Sequence, residues 1–146
     1  MGYSHYWTRP PRLPPVEFAV AVADCRKLLP QLGVPLAGPG GTGPPECDVD
    51  RIVFNGVGTE GREAFAISQH EPPRRPSPQI FSYCKTARRP YDLAVQCALI
   101  ILKRHLGDRL TVTSDGPEGE WELARAACQQ HLSYGQDFRL GPRAAP

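Results

Sequence analysis

The chain has 146 residues, with 17 Lys or Arg and 15 Asp or Glu, and a net charge of +2. That length suffices for one domain with its own core, and that charge is too small for the strongly basic surface that binds duplex nucleic acid. The five cysteines form no Cys-x-x-Cys pair and the longest apolar run is too short to span a bilayer, so we expect free thiols, no metal site, no membrane contact and a cytoplasmic location.

Eight segments have an apolar period that predicts a strand or a helix. Aromatic and β-branched residues at alternate positions are typical of strands, whereas apolar residues at spacings of three and four are typical of helices. Glycine and proline mark 38–45 and 70–78 as loops. In chain order the pattern predicts a strand over 3–8, a helix from Pro15 that ends near Pro30 and Gly33, strands over 51–56, 63–68 and 80–84, a helix over 90–106, a strand over 110–114, and a helix from Trp121 that ends near Gly135.

These elements predict an α+β fold, with a mixed sheet of four to five strands that carries three helices. The segments 80–84, 90–106 and 110–114 predict one right-handed β-α-β unit, in which the two strands are parallel. We expect a single domain over 1–140 and a disordered tail over 141–146.

Basic residues stand directly before the predicted helix 90–106. The first backbone N–H groups of a helix have no internal partner, so a helix start next to cations is typical of an anion site. Lys85, Arg88 and Arg89 would hold the charge and Thr86 would donate a hydroxyl, while Tyr91 either packs or presents its hydroxyl to the same ligand. The alternative is a solvated basic turn.

A second strand ends at Ser114, and parallel strands of one β-α-β unit end at the same edge of their sheet. Ser114 would therefore donate to the same ligand, and Asp115 would bind a sugar hydroxyl or act as a general base. Helix capping is the alternative interpretation of both residues.

Three further residue types suit a ligand that carries an aromatic ring. His5 and Trp7 would cover that ring, with His5 as a second candidate base, unless they pack in the core. Asn55 would bind a base edge, or it forms a turn with Gly56. Cys84 is interpreted as a buried thiol and not as a nucleophile, because Pro90 stands where a phosphatase loop needs arginine.

Several motifs together resemble a small family of uncharacterised bacterial and bacteriophage proteins. They are Met1-Gly2-Tyr3 with His5-Tyr6-Trp7, Phe54-Asn55-Gly56, Cys84-Lys85-Thr86-Ala87-Arg88 with Pro90-Tyr91-Asp92, Ser114-Asp115-Gly116, and Trp121. The resemblance covers nearly the whole chain and implies that the polar motifs share one site. It also implies a role in conflict between phage and host, such as the capture of a nucleotide signal.

The sequence thus favours a binding protein for a small anionic, nucleotide-like ligand, which needs no cofactor. The first alternative is a small hydrolase or transferase that uses the same pocket, with Asp115 or His5 as the base. The second is a protein-interaction module in which Arg74, Arg75 and the prolines around them bind an acidic partner. A homo-oligomer is compatible with each hypothesis.

Overall fold

The computed structural model describes residues 2–142, and within them it has three helices and seven strands, which confirms the α+β fold class. All eight predicted segments are present. Two further strands of two residues each flank the predicted loop over 38–45, and they are too short to show a period in the sequence. The elements are β1 (Ser4–Arg9), α1 (Pro15–Leu28), β2 (Leu36–Ala37), β3 (Glu46–Cys47), β4 (Arg51–Gly56), β5 (Phe65–Ser68), β6 (Ile80–Lys85), α2 (Asp92–Leu106), β7 (Thr111–Ser114) and α3 (Glu122–Leu132).

The strands divide between two sheets instead of forming one. In the first sheet β1 lies between β6 and β7 and is antiparallel to both, so β6 and β7 are parallel to each other. In the second sheet β4 pairs antiparallel with β2, β3 and β5. The predicted parallel pair therefore exists with β1 inserted between its strands, and the right-handed crossover through α2 stays a prediction.

The two sheets meet where β5 begins and β6 ends. The Glu63 N–H donates to the Lys85 carbonyl at 3.1 Å, and the Lys85 N–H donates to Glu63 Oε1 at 2.8 Å. Beyond this contact β5 and β6 are not paired with each other. The gap between them is what divides the strands into two sheets.

Helix α2 lies between α1 and α3 and is buried along most of its length. Side chains from all three helices and from both sheets form one hydrophobic cluster. Gly107 ends α2 with a φ of 59°, which favours glycine, whereas α3 ends at Ser133 in the left-handed region and not at Gly135. None of the helices in residues 2–142 has the length and apolarity needed to cross a membrane.

The end of the described chain covers the outer edge of β7. Phe138 stacks on Trp121 with ring centroids 5.2 Å apart, and the Gly141 N–H donates to the Val112 carbonyl at 2.7 Å. The chain is thus hydrogen-bonded at Gly141, where the sequence predicted the start of the tail. Residues 143–146 of that predicted tail lie outside the described residues.

Candidate functional site

Two corners of the first sheet contain the residues that the sequence predicts to form one site. The first corner, residues 85–92, begins at the end of β6, and the second, residues 114–116, begins at the end of β7, with β1 between them. Lys85 at the end of β6 is opposite Ser4, and Ser114 at the end of β7 is opposite His5 on the same central strand. The prediction that both strands end at one sheet edge is therefore confirmed.

A row of buried side chains, joined by hydrogen bonds, connects these corners. His5 is fully buried, with Nδ1 2.8 Å from Ser114 Oγ and Nε2 2.7 Å from Asp92 Oδ1. The hydroxyl of Thr86, also fully buried, donates to the same Asp92 oxygen. Because a carboxylate accepts, we assign a hydrogen to His5 Nε2, while Nδ1 lies within hydrogen-bond distance of the Ser114 hydroxyl.

This Ser-His-Asp order resembles the line of groups that activates a serine nucleophile. Here, however, Ser114 is only 3% exposed, and its Oγ also accepts from the Gly116 N–H at 3.1 Å. A nucleophile must reach its substrate, and this hydroxyl lies inside the fold. The row therefore holds the ends of β1, β6 and β7 against the start of α2.

Arg88 turns toward the second corner. Ala87 and Arg88 both have positive φ, and the Thr86 and Ala87 N–H groups both donate to the Tyr3 carbonyl. This tight turn places the Arg88 guanidinium 2.6 Å from Glu120 Oε2 and 3.9 Å from the centre of the Tyr3 ring. The cation before α2 thus pairs with a carboxylate, which explains its position next to a helix start.

The charges of Arg88 and Glu120 at this corner compensate each other. The hydrogen bond from Arg88, followed by one from Tyr3, holds the pKa of Glu120 below its usual range. Burial raises the pKa of Tyr3 well above its ordinary value, and its hydrogen bond to Glu120 adds to that effect. Arg88 is therefore engaged with the protein itself, although its side chain is 59% exposed.

The other predicted residues of the corner are divided between the core and the outer face. The Tyr91 ring is buried and its hydroxyl donates to the Glu63 carbonyl at 2.6 Å. Asp115 accepts from the Ser4 N–H and from the Tyr6 hydroxyl, each at 2.9 Å. Lys85 is exposed, and Arg89 is half-buried.

Three predicted ligand contacts do not hold in this geometry. His5 and Trp7 are 0% and 2% exposed, and Trp7 packs on Phe65, so neither ring is available to cover a ligand. Both belong to the inner face of β1, which faces the core. Asn55 lies in the second sheet, where its amide donates to the Pro39 and Arg62 carbonyls and accepts from two backbone N–H groups.

The interpretation of Cys84 as a buried thiol is confirmed. Its side chain is fully buried, and burial raises its pKa to about 12. A thiol with that pKa is almost entirely protonated at neutral pH and is not a nucleophile.

The outer face of the first sheet carries an aromatic cluster. Phe81 and Tyr83 are each 56% exposed, and they point away from the core because Ile80 and Cys84 point into it. Tyr6 of β1 is directly opposite Tyr83, and its ring stacks on Phe81 with centroids 5.8 Å apart. We call Tyr6, Phe81 and Tyr83 the aromatic platform.

Cations border the aromatic platform. Lys85 is on the same face of β6 as Phe81 and Tyr83, because side chains two positions apart on a strand point to the same side. Arg74 and Arg75, both exposed, line a cavity of about 440 Å³ together with Phe81 and Tyr83. Three cations therefore lie beside the exposed rings.

A second cavity continues this surface into the gap between the sheets. It has a volume of about 570 Å³, and Tyr83 and Arg74 line it as well as the first cavity. Two carboxylates on its wall have partners, since Glu71 binds Arg9 at 2.8 Å and Glu63 accepts from the Lys85 N–H. The two cavities and the platform form one continuous surface along β6.

Within residues 2–142, the edge of β6 that faces this surface is not paired with another strand. The N–H and C=O of Lys85 bind Glu63, so they point away from β1. Because backbone direction alternates along a strand, the polar groups of Phe81 and Tyr83 point to the same side. They are hydrogen-bonding groups available to a ligand.

The sequence of β6 contains a signal for the platform. In Ile80-Phe81-Ser82-Tyr83-Cys84 the two aromatic residues alternate with Ile80 and Cys84, which are buried. Such a strand has an aromatic face and an aliphatic face, and one of them is exposed if only one side of the sheet is covered. The alternation alone does not say which face the core covers.

Comparisons of the chain with protein-family models, with curated proteins and with solved structures found no match. The resemblance to bacterial and bacteriophage proteins stays a prediction.

Proposed function

We propose that this protein binds a small anionic, nucleotide-like ligand on the outer face of its first sheet. The base stacks on the aromatic platform, and Arg74, Arg75 and Lys85 neutralise the phosphate. The observation that carries the proposal is the exposure of Phe81 and Tyr83, 56% each, beside Lys85 and the two arginines.

The physical chemistry of the platform suits a nucleobase. An exposed aromatic ring leaves an apolar π face in water, and a base that stacks on it removes both faces from water. Stacking of this kind contributes about 1–3 kcal/mol per base. Arginine adds a planar fork that matches phosphate oxygens and also stacks on rings.

The outer face is favoured over the two corners as the binding site, because polar side chains in the corners are already hydrogen-bonded to the protein. In the corners the side chains of Thr86, Arg88 and Asp115 are bound to groups of the protein. A ligand there would have to break these bonds before it formed its own. Lys85 and Asp115 stay in the proposal, because both border the platform.

Binding is favoured over catalysis by the burial of the candidate base. His5 is fully buried and both of its ring nitrogens have partners. Asp115 accepts two hydrogen bonds from the protein. A general base must reach the proton it removes within hydrogen-bond distance.

Isothermal titration calorimetry with matched ligands tests the proposal. We expect heat of binding for nucleoside 5′-monophosphates, a weaker response for the nucleosides that lack phosphate, and a still weaker one for inorganic phosphate. Replacing Phe81 or Tyr83 by alanine should weaken nucleotide binding about tenfold, because one stacking contact is lost.

Two control variants make the result specific. Leu123→Ala removes a side chain that is 76% exposed on α3, and Arg51→Ala removes a cation that is 54% exposed on the second sheet. Neither should change the affinity. Absence of binding to every nucleotide, or equal affinity in Phe81→Ala and Leu123→Ala, would contradict the proposal.

A further inference from the structure

We infer that the ligand of this surface is single-stranded RNA, which lies along β6 with successive bases on the aromatic platform. The inference rests on the proposed function and extends it from one nucleotide to a polymer. Three features of the described residues support it: the number of rings, the position of the cations and the polar groups around the rings.

The aromatic platform is larger than one base needs. Phe81 and Tyr83 have ring centroids 6.4 Å apart, and the Tyr6 ring lies 5.8 Å from Phe81 and 6.5 Å from Tyr83. A single base covers one ring and leaves the others in water. RNA-binding sheets of other proteins use exposed aromatic residues in this way to stack two or three bases.

The cations are placed for a ligand with more than one phosphate. Lys85 follows Tyr83 along β6, whereas Arg74 and Arg75 lie at the side of Phe81 and Tyr83 that the first cavity occupies. A nucleoside monophosphate has a single phosphate group. In a strand each inner nucleoside has a phosphate on its 5′ side and another on its 3′ side, so the strand can pair with Lys85 and with the arginines together.

The shape of the surface suits a strand and excludes a duplex. The two cavities, of about 440 Å³ and 570 Å³, share Arg74 and Tyr83, so together they form a track along the open edge of β6. In a duplex the base faces are stacked on each other and cannot reach the rings. Base edges of a single strand, in contrast, can bind the unpaired N–H and C=O groups of Phe81 and Tyr83.

Hydroxyl groups beside the platform favour RNA over DNA. Thr8 of β1 is directly opposite Phe81, and Thr113 of β7 is directly opposite Tyr6; both are half-buried and lie on the outer face. A threonine hydroxyl both donates and accepts, as does the ribose 2′-OH. That ribose group is what distinguishes RNA from DNA at a protein surface.

Fluorescence anisotropy with labelled oligouridylates of two to twelve nucleotides tests the inference, because uridylate strands form little structure of their own. We expect affinity to rise with length and then level off. We also expect about tenfold weaker binding in Phe81→Ala and Tyr83→Ala. Leu123→Ala should bind as the unchanged protein does.

The salt dependence of the same titration reports the phosphate contacts. Three cations that each neutralise one phosphate of a single strand predict a slope of about −2 for the logarithm of the binding constant against that of the salt concentration. Arg74→Ala should reduce the slope by about 0.7, and Arg51→Ala should leave it unchanged.

Each of the following results would contradict one part of the inference. Equal affinity for the twelve-nucleotide strand and for uridine monophosphate would overturn the polymer and leave the proposed function standing. Equal affinity for oligodeoxyuridylate of the same length, which lacks only the 2′-OH, would overturn the choice of RNA. Equal binding of an RNA duplex would overturn the strand, and binding of neither strand nor mononucleotide would overturn the proposed function as well.

Discussion

His5 is the residue on which the ends of the first sheet depend. It has no exposure to solvent, and it contacts both Ser114 at the end of β7 and Asp92 at the start of α2. A buried polar side chain of this kind is tolerated because both of its ring nitrogens have partners. His5 therefore stabilises the fold by the free energy of these two hydrogen bonds.

Replacing His5 by phenylalanine tests this role. The ring fits a similar volume, but Asp92 and Ser114 each lose a partner inside the fold. We expect the free energy of unfolding to fall by about 2–4 kcal/mol, since a buried hydrogen bond to a carboxylate contributes about 1.5–3 kcal/mol and one between neutral groups about 0.5–1.5 kcal/mol. Urea unfolding followed by tryptophan fluorescence measures it.

The control for His5→Phe is His70→Phe, because His70 is exposed and its backbone alone bridges to Arg12. That variant should unfold within about 0.5 kcal/mol of the unchanged protein. A similar loss of stability in the two variants would mean that the buried row contributes nothing specific.

At the scale of elements, the turn between β7 and α3 is shaped by a close approach to Tyr3. A methyl group at Gly116 would lie 2.5 Å from Glu120 Oε2 and 2.6 Å from the Tyr3 hydroxyl, whereas a methyl group at Gly119 would meet nothing within 4 Å. Glycine is thus required at one position of this turn and not at the other.

The pair Gly116→Ala and Gly119→Ala tests the packing of that turn. Gly116→Ala forces Tyr3 and Glu120 to move, and overpacking of this kind costs about 1–3 kcal/mol. Gly119→Ala should change stability by no more than about 0.5 kcal/mol. Thermal unfolding by circular dichroism compares them, and equal melting temperatures would show that Tyr3 does not pack on this turn.

The elements themselves were predictable because their period is local. Aromatic residues in β1, apolar spacing in α2 and the alternation in β6 all act over a few residues. The partner of Arg88 was not predictable, since Glu120 is 32 positions away and the turn at Ala87 that joins them depends on the Tyr3 carbonyl. For the same reason the sequence suggested an anion ligand at Arg88 where the fold supplies its own carboxylate.

The position of the candidate site could not be predicted from the sequence of any single strand or helix. The alternation in β6 identifies two faces, but which face the helices cover follows from the packing of α1, α2 and α3 on one another. The placement of His5 and Trp7 on the covered face, and of Phe81 and Tyr83 on the open one, is therefore a property of the assembled layers. That β6 and β7 end at the same side of the sheet, by contrast, followed from topology alone.

At the scale of the whole molecule, the two sheets are connected at both ends of the gap between them. At one end Glu63 and Lys85 exchange hydrogen bonds. At the other end Arg9 extends from β1 to the end of β5 and the residues after it, where it donates to the Ser68 and Gln69 carbonyls and to Glu71. Both connections also bound the second cavity, so they preserve the shape of the proposed binding surface.

Arg9 makes more hydrogen bonds across its end of the gap than Glu63 and Lys85 exchange at theirs. Its side chain is fully buried, and burial lowers its pKa although Glu71 acts in the opposite direction. Its remaining N–H groups donate to the Pro10 and Pro11 carbonyls at 3.0 and 3.2 Å. A guanidinium suits this position because it presents five donors in a rigid fork.

Arg9→Met tests whether the sheets depend on that fork. The substitution retains an apolar side chain of similar length, but it leaves the Glu71 charge and several carbonyls without their donor, so we expect a loss of about 3–5 kcal/mol. Arg51→Met, at a surface pair 3.9 Å from Glu46, should cost less than about 1 kcal/mol. Urea unfolding of both variants gives the comparison. If Arg9→Met is too unstable to purify, Arg9→Lys keeps the charge without the fork and should fall between the two; an Arg9→Lys variant as stable as the unchanged protein would mean that charge alone joins the sheets.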